Sequence, residues 1–397
     1  MQNPPPSSNF EDIPLRSLIV DYEYGTIRIE HLDGRTRAAL LPDSMDPGSR
    51  VIAAIELQLV DGRLRLKTMN GELVCLDLPV GTPESSIPAR PIVYLDQNHW
   101  STLAKARFRP DRVQIPAELE AARSLIDRAL RREICLPFSS AHALETTKWT
   151  NAGERRELGL TILELSRGWQ LLHPLEIRRI ELRNALDPTS SPREVRAFSL
   201  SRDALYGEVS APVLPQPDGA SSLVAFAVGG CALAELLLDD EPIEPGVIDG
   251  WVDGMRQASA YLAMNARTPT ERVSAVNALF ERDIMPDISS VAQAEGLVGD
   301  SRLGAFLSRV EAEVPRMPAT GLYREVFRER LSNPGRAWSA NDLVDIVYLS
   351  SAAGYADYIV AERSTASAIR NGLRRLGRSD SKVCSNLRSF VGVLAAN

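Results

Sequence analysis

The chain has 397 residues, of which 44% are hydrophobic, with a formal net charge of −7 and four cysteines. Its length and apolar content predict two domains and an insertion around a sizeable core, while the acidic balance excludes a protein coated with non-specific nucleic-acid contacts. Cys75, Cys135, Cys231 and Cys384 form no C-x-x-C pair, which excludes a zinc-ribbon or disulfide framework, and the N-terminal MQNPPPSSNFEDIP and interrupted apolar runs such as LVAFAVGGCALAELLL predict a soluble, cytoplasmic protein without a membrane partner.

In chain order, residues 1–14 are rich in Pro and Ser and predict disorder. Residues 15–80 alternate apolar and polar positions and are broken at Asp33-Gly34, Asp61-Gly62 and Asn70-Gly71, dipeptides that accept the positive φ of tight hairpin turns. This predicts a β-meander of about five strands, a small barrel or curled sheet, followed by a linker over 81–91. From Pro91 the pattern changes to short apolar runs alternating with helical periodicity, as in βαβ units built on a parallel sheet. The spacing predicts strands at 92–95 and 134–138, a helix after Pro116, and another capped by Ser139 or Ser140 that carries His142 and Glu145. Residues 151–335 are mostly helical and too long for a loop, which predicts a helical insertion. Residues 336–397 return to α/β character: a helix over 340–353, a strand over 358–361, a basic helix near 364–376 and a closing segment.

Carboxylates recur at the places where such a fold gathers ligands. Asp96 follows an apolar strand, Glu145 sits early in the helix after the second strand, and both face the carboxyl edge if the strands are parallel. Asp342 and Asp345 are three residues apart and share a helix face. Asp357 lies before the YIVA strand, at a position that points it to the opposite edge in a parallel sheet. Each has an ordinary structural role available, as a turn former, helix cap or solvated helix residue. Together they repel one another unless a cation neutralises them, and all-oxygen ligands suit Mg²⁺ or Mn²⁺, which activate water for phosphodiester hydrolysis.

Around these carboxylates, Asn98, His142 and Lys148 are candidates to touch phosphate or water. Trp100 is better suited to packing than to base stacking. Between residues 363 and 388, Arg363, Arg370, Arg374, Arg375, Arg378, Lys382 and Arg388 face only Asp380, a local excess of six positive charges that suits a phosphate-facing strip. Arg363 and Arg370 are the preferred steering residues. A Walker loop, a G-x-G-x-x-G and a G-x-S-x-G are all absent.

The phrases YLDQNHW, PFSSAHALETTKW and YADYIVAER, in the order strand–Asp, helix–Glu, N-D-x-x-D helix start and final strand, resemble the PIN-like family of metal-dependent ribonucleases over 91–150 and 336–397. The resemblance implies an α/β fold with a PIN-like three-layer parallel sheet in 92–150 and 336–397, accompanied here by the small N-terminal all-β domain and the large helical insertion. It implies a Mg²⁺- or Mn²⁺-dependent endoribonuclease, with Asp96, Glu145, Asp342 and Asp357 as the acidic positions and Asp345 as an additional or substitute ligand. It also implies a toxin or phage-defence effector with a protein antitoxin or regulatory partner. The chain departs from the family at Ala361-Glu362-Arg363, where an Asp is usual, so the fourth position falls to Asp357 or Glu362. Two other classes compete: a catalytically reduced scaffold that binds RNA or a protein, and a structure-specific DNA nuclease.

Overall fold

A computed structural model of the chain describes residues 14–41, 49, 51–78, 90–200, 219–239, 248–265, 268–332 and 338–396. The expected N-terminal disorder and nearly all of the expected 81–91 linker lie outside these residues. The fold is mixed α/β, mostly helical, with a six-stranded antiparallel sheet and a small parallel one.

The first sheet comprises β1 (Leu15–Asp21), β2 (Thr26–His31), β3 (Thr36–Leu40), β4 (Ile52–Gln58), β5 (Arg63–Thr68) and β6 (Leu73–Asp77). Its order, β3-β2-β1-β4-β5-β6, makes two three-stranded meanders joined along β1 and β4, an open sheet rather than a barrel. The turns fall where the sequence marks them, with Gly34 and Gly71 at φ +84° and +86°. Period-two alternation puts Ile55, Leu57, Leu64, Leu66, Val74 and Leu76 on one buried face.

Next come β7 (Val93–Leu95), α1 (Gln97–Phe108), α2 (Pro116–Leu130), α3 (Ser140–Thr147), α4 (Ala152–Ser166), β8 (Gln170–Leu171), α5 (Pro174–Leu186) and β9 (Phe198–Ser199). The helices α6 (Gly219–Leu238), α7 (Ile248–Asn265), α8 (Pro269–Ala294), α9 (Ser301–Leu307), α10 (Val310–Glu313), α11 (Pro318–Leu331) and α12 (Ala340–Tyr355) follow. The chain closes through β10 (Tyr358–Val360), α13 (Arg363–Arg375), β11 (Val383–Cys384) and α14 (Leu387–Ala396).

The second sheet is parallel, in the order β11-β10-β7. Among the described residues the sheet does not extend into the larger parallel sheet that the family resemblance implies. Among the described residues, further parallel pairing is limited to single bridges, Ile92 to Cys135 and Phe138 to Gln170. The expected strand at 134–138 is thereby reduced to two contacts, and Pro137, which has no N–H to donate, sits between them.

Alternation along these short strands divides the interior. Tyr94, Ile359 and Val383 join a core with α5, α7, α8, α11, α12 and α13. Val93, Leu95, Val360 and Cys384 join another with α1, α2, α4, α6 and the antiparallel sheet. The described helices of segment 151–335 divide between the two clusters: α4 and α6 cover the antiparallel sheet, while α5, α8 and α11 pack on the opposite side. At the α4–α6 crossing a Cβ on Gly159 would lie 2.3 Å from the Leu237 carbonyl oxygen, so the helices meet backbone to backbone. No helix among the described residues is long and apolar enough to cross a membrane.

Candidate functional site

The parallel strands deliver Asp96 and Glu362 to one edge. Asp96 directly follows β7 and is the N-cap of α1; its Oδ1 accepts the His99 N–H at 3.2 Å and its Oδ2 the Glu362 N–H at 2.5 Å. One carboxylate therefore caps a helix and also ties the ends of two neighbouring strands together. Glu362 is the N-cap residue of α13, and its side chain accepts a hydrogen bond from Asn98 Nδ2.

Helix α3 supplies Glu145. It begins in a capping box in which Ser139 N–H donates to His142 Nδ1 at 3.1 Å. Helix α12 supplies Asp345, one turn beyond the capping-box residue Asp342. Asp345 lines a cavity of about 250 Å³ with Arg330, Asp342, Ser364 and Ser367.

The electrostatics of these carboxyl groups place them in one field. Burial raises the pKa of Asp345, as do Glu145, Asp96, Glu362 and Asp342 in that order, to about 7. Glu145 is raised by burial and by Asp96 and Glu362, against the opposing charge of Lys148. Burial also raises Asp96, although His99 and the backbone N–H groups of His99, Glu362 and Asn98 pull it down. Asp96 and Glu362, at the carboxyl edge of the sheet, thus disfavour the anions of Glu145 and Asp345, and Glu145 that of Asp345.

Two expected ligands have other roles. Asp357 is at the opposite end of β10, where its Oδ2 accepts the Ile92 N–H at 2.8 Å. Parallel pairing of Tyr358 with Val93 and Val360 with Leu95 makes this unavoidable, because Asp357 starts its strand whereas Asp96 ends its own. Asp342 is buried against Arg330, with Arg330 Nε 3.2 Å from Oδ1, and its Oδ2 accepts from both the N–H and the hydroxyl of Ser339 at 2.8 Å. Burial acts to raise its pKa, but Arg330 and Ser339 outweigh that and hold it below the usual range.

The expected substrate contacts also divide. Asn98, Lys148 and Arg363 are exposed beside the carboxylates. His142 is buried and stacked on Tyr94 with ring centroids 5.1 Å apart, and burial lowers its pKa to about 3, so it is a neutral core and capping residue rather than a substrate contact. Trp100 is fully buried and cannot stack on a base. Arg370 donates to the Val383 carbonyl, Arg375 to Glu325 and Glu329, Arg378 to the carbonyls of Pro315, Met317 and Pro318, and Lys382 to that of Ala356. Most of the expected phosphate-facing strip is spent holding α13 and the adjoining segment to the body.

Sequence reasoning undervalued Glu362. The available signal was nearness to a strand end: Glu362 lies two residues beyond β10, as Asp96 lies one beyond β7. The donor set is all carboxylate oxygen, which suits Mg²⁺ or Mn²⁺, and the elevation of Asp345 marks a charge deficit that a dication relieves. Among the described residues, however, no three His, Cys, Asp or Glu side chains converge closely enough to hold an ion as they stand. No family model matches the chain, and neither a curated protein nor a solved structure matches it.

Proposed function

We propose that this protein is a metal-dependent nuclease of the PIN-like kind, with RNA as its substrate and the two-cored α/β body as its nuclease domain. The observation that carries the reading is the placement of Asp96 and Glu362 at the carboxyl ends of adjacent parallel strands, where such folds gather ligands, with Glu145 and Asp345 held up by burial and by those two carboxylates. These four side chains would hold Mg²⁺ or Mn²⁺, with Asp342 and Asp357 excluded by their structural bonds. When bound, the ion supplies water activation and charge stabilisation on the leaving oxygen.

The chain's own groups take the remaining tasks. Asp96 keeps the ends of β7 and β10 in register through its two backbone hydrogen bonds. Asn98 orients Glu362. Lys148 and Arg363 provide positive charge for flanking phosphates. Asp345, held protonated to about pH 7 by burial and neighbouring carboxylates when no ion is bound, would release that proton as the ion binds.

The reading is tested with metal-free protein to which Mg²⁺ or Mn²⁺ is added back, on single-stranded RNA, single-stranded DNA and branched duplexes, beside Asp96→Ala. Expected is metal-dependent cleavage of RNA that the substitution abolishes. Equal cleavage by both proteins sinks the site, and preferential cutting of branched duplexes transfers the substrate to DNA. The lack, among the described residues, of three converged side chains favours a second reading, a catalytically reduced scaffold that binds RNA. Retained RNA binding without cleavage under every metal condition selects it.

A further inference from the structure

The junction of the antiparallel sheet with the body gathers four arginines around one carboxylate. Arg63 opens β5 directly across from Asp77 on β6, Arg90 lies ahead of β7, Arg132 follows α2, and Arg167 caps the C-terminus of α4. Asp77 Oδ1 accepts from Arg132 Nη2 and Arg167 Nε at 2.7 Å each, and its Oδ2 accepts from Arg90 Nη2 at 2.9 Å and from Trp169 Nε1 at 3.1 Å. Two donors on each oxygen use all of its lone-pair sites. Among the described residues, Asp77 is the one carboxylate ion-paired with any of the four, so three positive charges remain without a paired counter-charge. Donors are left over as well. Among the described residues, Arg63 Nε and Arg167 Nη2 are buried with no hydrogen-bond partner, and Arg167 as a whole is 8% exposed.

Like charges at this density cost free energy. Burial lowers the pKa of Arg132, and Arg167, Arg63 and Arg90 press it down further against the attraction of Asp77. The backbone is committed to the arrangement too: Arg132 and Arg167 have φ of 61° and 55°, the two positive values outside glycine among the described residues, a left-handed conformation unfavourable to an L side chain. Docking of the sheet accounts for the bonds to Asp77, but not for the fourth arginine or for buried donors that lack an acceptor. From charge and geometry together we propose that Arg63, Arg90, Arg132 and Arg167 bind a phosphate dianion, either free or as the terminal group of a phosphomonoester. Its oxygens supply the acceptors that Asp77 has no capacity left to offer, and its two charges neutralise most of the surplus. Guanidinium groups match such oxygens two bonds at a time. Arg63 and Arg132 are half-buried, which leaves the cluster open to solvent on their side. The site shares no residue with the carboxylate edge and stands apart from the nuclease reading.

The test titrates inorganic phosphate and AMP separately into the full chain by calorimetry, with no divalent metal added and ionic strength held constant with sodium chloride. Wild type, Arg63→Gln and Arg132→Gln are compared, with circular dichroism and thermal melts as fold controls. Arg63→Gln leaves all four bonds to Asp77 in place, so it removes a phosphate contact without undocking the sheet. A charge-assisted contact typically carries about 10-fold or more in affinity, and a loss of about 10-fold is expected for each variant. Tighter binding of inorganic phosphate assigns the site to the free ion, and tighter binding of AMP assigns it to an ester. The rise in melting temperature with phosphate should shrink in Arg63→Gln, whereas general stabilisation by excluded phosphate is equal in both proteins. Failure of wild type to bind either probe overturns the proposal, as does wild-type affinity in folded Arg63→Gln. If Arg132→Gln fails to fold, Arg63→Gln alone decides by the same criterion.

Discussion

Asp345 holds its proton to about pH 7 because burial and four neighbouring carboxylates disfavour its anion. A carboxyl whose folded pKa lies above its ordinary 3.8 binds protons more tightly in the folded state, so it weakens the fold as pH rises from about 4 through about 7. At about 1.4 kcal/mol per unit, the ceiling on this effect is on the order of 4 kcal/mol, reduced by solvent in the adjoining cavity. Metal-free protein should therefore melt at a lower temperature at pH 8 than at pH 5.5. Asp345→Asn should raise the pH 8 melting temperature and flatten the profile, and a profile of unchanged slope refutes the assignment.

Asp342, three residues earlier, is expected to behave in the opposite way. Asp342→Ala leaves Arg330 buried without its carboxylate, at a cost of about 3 kcal/mol. Urea unfolding should show that loss, whereas Mn²⁺ affinity falls less than in Asp345→Asn. Local sequence could not separate the two residues. Both lie on one face of one helix, and the difference comes from Arg330 on α11, a partner supplied by the segment expected to be a separate insertion.

At the scale of elements, one carboxylate gathers the densest polar contacts at the junction between β6 and the body. Asp77 accepts from Arg90 at 2.9 Å, from Arg132 and Arg167 at 2.7 Å, and from Trp169 Nε1 at 3.1 Å. Burial alone would raise its pKa, but Arg167, Arg132 and Arg90 outweigh that and hold it down. Asp77→Ala leaves three guanidinium groups facing one another and should cost about 3 to 5 kcal/mol. A loss below about 1 kcal/mol in urea titration would show that apolar packing alone docks the sheet. The hairpin turns of this sheet were legible because Asp-Gly and Asn-Gly constrain their own backbone. The strand at 134–138 was misread because its apolar run disguises Pro137, whose missing N–H interrupts the pairing.

For the whole molecule, shared cores imply shared unfolding. The antiparallel sheet, α4, α6 and the parallel strands contribute to one apolar cluster, so scanning calorimetry should record one transition. A chain lacking residues 1–90 should be insoluble or molten, since it exposes the faces of α4 and α6 that cover the sheet. Two well-separated transitions, or a folded truncated protein, contradict that expectation.

By itself the sequence determined the local features: the hairpin turns, most helices, the short strands around Val93–Leu95 and Tyr358–Val360, and the arrival of Asp96 and Glu145 near a strand-end edge. These follow from periodicity, turn chemistry and caps, which operate over a few residues. The tertiary structure alone decided which carboxylates share a field and which are spent. Parallel register brought in Glu362 and kept Asp357 at the far edge that its strand-start position implies, Arg330 claimed Asp342, and backbone carbonyls and acidic side chains absorbed most of the basic strip. Those outcomes depend on partners tens to hundreds of residues away, whose burial fixes both the charge state and the availability of each group.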